Sequence, residues 1–180
     1  MKFVEPIRDV EKIEEMKNYL KSTSGRNYLL FVFGIYSTLR ISDILSLKKK
    51  DVLGERLILV EKKTTKVKEI LISPRLRREL KPYIKDLEDD DYLFSSRKGE
   101  NKPISRTTAY RVLRSAGEAC GLDRIGTHSM RKTFGYHFYE RTKNIALLQE
   151  LYGHSSEEIT KRYIGINQDI LDKAIRNFDY

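Results

Sequence analysis

The stretch Leu151-Tyr152-Gly153-His154-Ser155-Ser156-Glu157-Glu158-Ile159-Thr160-Lys161-Arg162-Tyr163 decides how the chain is read. Asn144 opens a helix through Leu151, and Ser155 with Glu158 forms a capping box for a further helix ending near Tyr163. This places an imidazole, His154, and a phenol, Tyr163, nine residues apart on consecutive elements.

Upstream, Thr127 is the expected cap of a helix to about Arg141, which carries His128 and Arg131 three residues apart. Before it, Ser105 caps a helix with Ala109, Val112, Leu113, Ala116 and Cys120 on one buried stripe. Thr107, Tyr110, Arg111 and Arg114 form the opposite stripe. Ser73 followed by Pro74 opens a helix to about Ile84, which gives way to the acidic loop Asp86 to Asp91. Two strands, Arg56 to Val60 and Val67 to Ile72, flank the lysine-rich turn Glu61 to Lys66. Further upstream, helical spacing runs from Asp9 to Leu20, and a nearly all-apolar helix from Arg26 to about Thr38 reads as core. A short helix, Ile41 to Leu47, follows Arg40. At the other end, Asn167 to Asp179 forms a last helix with Ile170, Leu171, Ala174, Ile175 and Phe178 on one face. The expected fold class is α+β, mostly helical, around a small antiparallel sheet.

At 180 residues, with 39% hydrophobic and 34% charged residues, the chain can bury a core without staples and matches no membrane composition. Thirty-five Lys and Arg against twenty-six Asp and Glu give a formal charge of +9, which attracts polyanions and makes nucleic acid the leading partner. A merely basic surface is the plainer reading. One cysteine, Cys120, forms no internal disulfide and fits a reducing, cytoplasmic setting. No secretory signal or bilayer-length apolar run is present, so no membrane partner is expected. No Cys/His cluster has zinc spacing, and Asp89-Asp90-Asp91 reads as a solvated loop, so neither metal nor other cofactor is expected.

Singly, the chemical residues have ordinary readings. Arg40 reads as a surface or salt-bridged residue, Lys63 as solvated, His128 and Arg131 as a surface pair, His154 as a helix-end residue and Tyr163 as core. Their order and spacing change that. Ser37-Thr38-Leu39-Arg40-Ile41-Ser42-Asp43, Lys62-Lys63-Thr64, Thr127-His128-Ser129-Met130-Arg131, and Leu151 through Tyr163 together resemble the tyrosine recombinases, or phage integrase family, over nearly the whole chain. The resemblance implies a tyrosine-recombinase-type catalytic domain. Its function would be that of a site-specific DNA recombinase or integrase, joining and cutting double-stranded DNA through a 3′-phosphotyrosyl intermediate.

The residue types suit that chemistry. Attack of a phenol oxygen on a phosphodiester builds negative charge that two guanidiniums, Arg40 and Arg131, can hold, with His154 adding a third hydrogen bond. Loss of one such donor costs about two to three orders of magnitude in rate. A free phenol has a pKa near ~10, so Tyr163 needs a base or cationic field, and His128 is the candidate acceptor. The resemblance assigns Lys63 the proton for the departing 5′ oxygen; its neighbours Lys62 and Lys66 compete for that role. The scheme stores bond energy in the phosphotyrosyl link and calls for no metal. Arg106, Thr107, Tyr110, Arg111 and Arg114 are candidate DNA contacts, against the alternative of a solvated face.

Several positions depart from the family pattern: Thr38 stands before Leu39-Arg40, Asp43 replaces a common Glu, and Lys132 occupies a place often held by His. Asp43 keeps a carboxylate able to orient Arg40. His137 has no role in the pattern and is expected to be structural. The resemblance further implies that residues 1–180 form a single catalytic domain, without the N-terminal helical core-binding domain typical of the family. It also implies self-association, a tetramer on paired DNA sites, with the last helix packed on a neighbour; packing within the same chain is the alternative. Two other functional readings stand beside recombination: a non-recombining DNA-binding regulator on the same fold, and a relaxing activity like that of a type IB topoisomerase.

Overall fold

The computed structural model describes residues 4–178 apart from 61, 62, 64 and 66. Lys62, Thr64 and Lys66 of the hairpin turn therefore lie outside the described residues, as does Asp179.

An apolar helix at the centre organises the rest. Helix α2 (Gly25–Ile35) follows α1 (Val10–Thr23), and Leu29 through Ile35 are all buried. Helices α1, α4 (Pro74–Tyr83) and α6 (Thr127–Thr142) pack around α2. Ser24 both ends α1 and caps α2, its hydroxyl accepting from Asn27 N at 3.4 Å. The expected extension of α2 to Thr38 is not seen: the helix stops at Ile35, and Ser37, Thr38 and Leu39 are buried in a turn leading to Arg40. Helix α3 is also shorter than expected, one turn at Ile41–Ile44.

Strands β1 (Arg56–Val60) and β2 (Val67–Leu71) pair antiparallel, with Val60 opposite Val67 and Arg56 opposite Leu71. Leu57 faces the core; Ile58, Val60, Val67 and Leu71 face outward and are exposed. Ser73 caps α4 with Pro74 in the first turn, as the sequence indicates. Helix α5 (Arg106–Ala119) is capped by Ser105 and buries Ala109, Leu113 and Ala116 against the core.

Beyond α6 the chain builds a second, smaller core from α7 (Ile145–Tyr152), α8 (Glu157–Ile164) and α9 (Ile166–Arg176), centred on Leu148, Tyr152, Ile164 and Ile166. Helix α6 lies between the two cores, which explains why Ser129, Arg131, Lys132 and Thr133 are buried with Met130 and Gly135 on one helix. These polar groups have partners. Thr133 accepts from Ile7 N and donates to the Ser129 carbonyl, both at 2.8 Å, and Lys132 Nζ donates to the Val4 carbonyl at 2.8 Å. His137 bonds the Ile7 carbonyl at 2.9 Å, the structural role expected of it. Residues 4–8 thus form a strap across α6, extended to α9 by the Arg8–Asp169 ion pair at 3.0 Å.

Two caps differ from the sequence reading by one residue. Gly126, not Thr127, is the cap of α6, and the Ser129 hydroxyl accepts from its N–H at 3.1 Å. Ser156, not Ser155, caps α8, accepting from Ile159 N at 3.2 Å, because Gly153 ends α7 in the left-handed conformation (φ +65°) and one further residue is needed to turn the chain. Helix α9 ends at Arg176, short of the expected Asp179, and on it Leu171 and Ile175 are exposed, as is Phe178 just beyond. Of the expected apolar face, the side chains of Ile170 and Ala174 fall outside what the structure describes. Among the described residues no helix is long and apolar enough to cross a membrane.

Helix α6 meets the second core closely at Gly135, where an added Cβ would collide with the Tyr152 hydroxyl and with Ile164 Cγ2. Overpacking of this kind costs about 1–3 kcal/mol, and a chain of this size loses roughly 2–4 °C per kcal/mol. Gly135→Ala is therefore expected to lower the thermal midpoint by several degrees, measurable by circular dichroism; an unchanged midpoint would show that the second core yields freely.

Candidate active site

Arg40 occupies the cap position of α3, set there by the turn after α2, and the N–H groups of Asp43 and Ile44 donate to its carbonyl at 3.0 Å. Asp43 is fully buried one turn on. Arg40 lines an open cleft of about 650 Å³ together with Lys63, Arg106 and His128. Lys63 reaches it from the tip of the hairpin, Arg106 from the start of α5 and His128 from the first turn of α6. A second cleft of about 880 Å³ shares Arg106 and His128 and continues along Tyr110, Arg114 and Thr127.

Arg131, one turn beyond His128, is buried at 4% exposure, and Tyr152 holds it. The guanidinium carbon lies 4.4 Å from the Tyr152 ring centroid, Arg131 Nη2 donates to the Tyr152 carbonyl at 3.1 Å, and the Tyr152 hydroxyl donates back to the Arg131 carbonyl. Arg131 Nε is buried and has no hydrogen-bond partner among the described residues.

His154 follows directly on the Gly153 turn. Its backbone N–H donates to the Gln149 carbonyl and its carbonyl accepts from Gln149 Nε2, each at 3.1 Å, while its Nδ1 sits 3.0 Å from Thr160 Oγ1. The rings of Tyr152 and Tyr163 meet it edge-on at 5.3 and 5.2 Å. Burial, then the charges of Arg131, Arg40 and Lys68, push the His154 pKa down to about 4. Burial and the charges of Arg131, Lys132, Arg106 and Lys63 hold His128 below its usual value. Both rings are thus biased towards the neutral form.

Tyr163 on α8 is half-buried, but its hydroxyl is fully buried, close to Arg131 without the geometry of a hydrogen bond. Burial raises its pKa, and Arg131 and Arg40 pull in the other direction. Lys132 Nζ stands 5.5 Å from the ring centroid.

The sequence-derived set therefore gathers around one cationic centre. Arg40 and Arg131 act on both His154 and Tyr163, and Lys63 and His128 share the open cleft with Arg40. Tyr163, Arg131 and His154 do not line that cleft; the Tyr163 hydroxyl is buried and its ring packs against the second core. Of the proposed DNA contacts, Arg106, Tyr110 and Arg114 line the clefts, whereas Thr107 and Arg111 are exposed on α5 and line neither. Arg114 is also engaged by Glu118 at 2.7 Å and Tyr110 at 3.3 Å. Sequence reasoning assigned no role to Tyr152, Thr160 or Lys68. Tyr152 lies inside the stretch Leu151 to Tyr163, but its hold on Arg131 spans 21 residues and has no local signature. Lys68 Nζ donates to the Leu151 carbonyl at 2.9 Å, tying the hairpin to the end of α7. Among the described residues no group of three or more His, Cys, Asp or Glu side chains is arranged to hold a metal ion.

Converging cations around a buried phenol define an anion-binding site with a potential oxygen nucleophile. Comparison with known proteins gives that class its family. Residues 7–169 match the phage integrase family. The chain is 54% identical over 179 residues to the probable integrase/recombinase YoeC of Bacillus subtilis (strain 168), covering 99% of this chain and 98% of that protein. It is 33% identical over 169 residues to the tyrosine recombinase XerA of Pyrococcus furiosus, covering 92% of this chain and 59% of the relative. In fold it is similar to the crystal structure of XerA recombinase (TM-score 0.75, 20% identity, 98% of this chain and 65% of that one). It is similar also to a lambda integrase dimer bound to a COC′ core site (TM-score 0.73, 19% identity, 91% and 60%). The chain belongs to the phage integrase family, the tyrosine recombinases, and its mostly helical α+β fold is that of their catalytic domain.

The depressed histidines have a consequence for stability. In the unfolded chain they bind protons near the ordinary value of 6.5, and in the folded chain only at lower pH, so stability is full above 6.5 and falls as pH drops towards 4. Thermal midpoints measured from pH 7.5 to 4.5 should fall less steeply for His128→Gln/His154→Gln than for wild type; parallel curves would mean that neither ring is held neutral.

Proposed function

We propose that the chain is a site-specific DNA recombinase or integrase that cuts and rejoins DNA strands through Tyr163. The observation that carries this reading is the buried Arg131 guanidinium set against the Tyr152 and Tyr163 rings, with His154 edge-on to Tyr163 at 5.2 Å, together with a cleft lined by Arg40, Lys63 and His128. In the proposed reaction the phenol oxygen attacks a backbone phosphorus and forms a 3′-phosphotyrosyl bond as the 5′ oxygen departs. Arg40, Arg131 and His154 hold the charge that builds on the non-bridging oxygens. His128, near-neutral in its cationic surroundings, accepts the phenol proton, and Lys63 delivers one to the leaving oxygen. Asp43, buried beside Arg40 in sequence, orients it. Religation to a new 5′ hydroxyl reverses these steps.

The DNA lies across α5 and the two connected clefts, with Arg106 nearest the chemistry and Tyr110 and Arg114 further along; Thr107 and Arg111 reach backbone phosphates outside the clefts. Residues 1–180 serve as one catalytic domain in this reading. The exposed apolar side chains Leu171, Ile175 and Phe178 support self-association through α9, in a tetramer on paired sites. Lambda integrase, similar to this chain in fold, is seen as a tetramer bound to a Holliday junction.

Two measurements test the scheme. On a pool of nicked suicide duplexes at low salt, wild type should form a denaturation-resistant, protease-sensitive adduct, and Tyr163→Phe none; DNA binding without any adduct would favour the non-recombining regulator. Relaxation of supercoiled DNA without paired sites would favour the topoisomerase-like reading. Leu171→Ser/Ile175→Ser should keep adduct formation within a few-fold while abolishing the two-site complex on native gels; equal loss of both would remove α9 from assembly.

A further inference from the structure

Thr160 is fully buried on α8, and its single hydroxyl has two neighbours: the Ser156 carbonyl at 3.1 Å and His154 Nδ1 at 3.0 Å. A carbonyl oxygen only accepts, whereas an imidazole nitrogen donates or accepts according to its proton. One arrangement makes both bonds. The hydroxyl proton goes to Ser156, and His154 Nδ1–H donates to Thr160 Oγ1. The opposite choice would leave two oxygens 3.1 Å apart with no proton between them. The ring has little freedom to escape, since both backbone polar groups of His154 are bonded to Gln149 and the rings of Tyr152 and Tyr163 flank it.

We propose that Thr160 is a positioning residue for the reaction proposed above: it holds His154 with the proton on Nδ1, so the ring meets a phosphate oxygen only as an imidazolium. A neutral ring in this tautomer carries a lone pair on Nε2, and a phosphate oxygen offers no proton to it. Engagement of the phosphate therefore requires uptake of one proton at Nε2, and both N–H groups are then used, one on Thr160 and one on the anion. The groups that face the ring oppose this in the free protein: Arg131 from α6, Arg40 from the turn before α3, Lys68 from β2, and the edges of Tyr152 and Tyr163 from α7 and α8. An anionic phosphate between the arginines reverses that field. His154 would then be charged in the complex and neutral outside it, adding a cation where negative charge develops without keeping a third positive charge buried in the free chain.

The inference rests on the proposed strand-transfer reading for its substrate, but its tautomer is testable without DNA. In the ¹⁵N spectrum of histidine-labelled protein at pH 7, with His154 assigned by its loss in His154→Gln, Nδ1 should be the protonated nitrogen and Nε2 the bare one. Thr160→Ser should keep this pattern, and Thr160→Val should shift the ring towards the Nε2–H form that free imidazoles favour. A wild-type ring already in the Nε2–H form, or one indifferent to Thr160→Val, overturns the proposal. In the adduct assay Thr160→Val should be slower than wild type by on the order of tenfold at pH 6.5, as for a lost hydrogen bond to a charged group. The gap should narrow as pH rises to 8.5, because the neutral variant ring can present Nε2–H directly. A gap constant with pH means a merely structural role and also overturns the proposal. Absence of any wild-type adduct would count against strand transfer itself, with the spectra still deciding what Thr160 does.

Discussion

The burial of the Arg131 guanidinium is the constraint on which the site depends. A charge taken from water into a protein interior needs partners on several sides or its desolvation penalty dominates. Tyr152 supplies most of them: a ring face at 4.4 Å, a carbonyl at 3.1 Å and a hydroxyl that returns to the helix carrying the arginine. That grip requires α7 to approach α6 closely, which Gly135 permits by having no side chain where Tyr152 and Ile164 pass. Since α7 ends at Tyr152, with Gly153 as its cap, the same contact fixes where the chain turns and hence where His154 stands. The arginine, the histidine and the tyrosine of the site are thus placed by one packing event between α6 and the second core. Arg131 Nε stays buried without a hydrogen-bond partner among the described residues.

Electrostatics at this centre run against the free protein. Arg40, Lys63, Lys68, Arg106, Arg131 and Lys132 all contribute positive potential to one histidine or the other, and both histidine pKa values are depressed in consequence, with burial the largest cause. Like charges this close lower stability unless an anion joins them. The strap of residues 4–8 shows how the fold contains the problem on the far side of α6: Lys132 is spent on the Val4 carbonyl, and Arg8 is divided between Glu5 and Asp169. A binding site for a polyanion gathers cations in this way whether or not chemistry follows.

How much of this the sequence discloses depends on the range of the interaction. Elements defined by neighbours along the chain are legible: Ser105 and Ser73 cap as their spacing indicates, β1 and β2 flank a polar turn, and α2 is the apolar centre. The chemical residues are legible too, because a fixed order of residue types along a chain survives without knowledge of contacts. Ends of helices are less so. Thr127 and Ser155 each have a residue beside them equally able to start a helix, and the choice is made by tertiary geometry, through Ser129 reaching back to Gly126 and through the left-handed turn at Gly153. The end of α2 is missed for a related reason: no proline or capping glycine stands at residues 36–39, yet they leave the helix and form the turn that carries Arg40 to the cleft.

Helix α6 shows why the supporting residues escape a reading that the catalytic candidates do not. Pattern arguments assume that a helix has one buried face, and polar side chains at buried positions then count against it. Between two cores α6 has no such face, so Ser129, Lys132 and Thr133 look like solvent-exposed residues in sequence while each is bonded to a carbonyl or N–H in the structure. Three of those bonds reach groups in residues 4–8 or just before the helix, far from or invisible to any local window. The same holds for Thr160, a residue of ordinary β-branched appearance whose hydroxyl matters only once His154 is folded against it. Short-range physics places the candidate groups on their elements, and hydrogen bonds made only in the folded chain set the orientations those groups present.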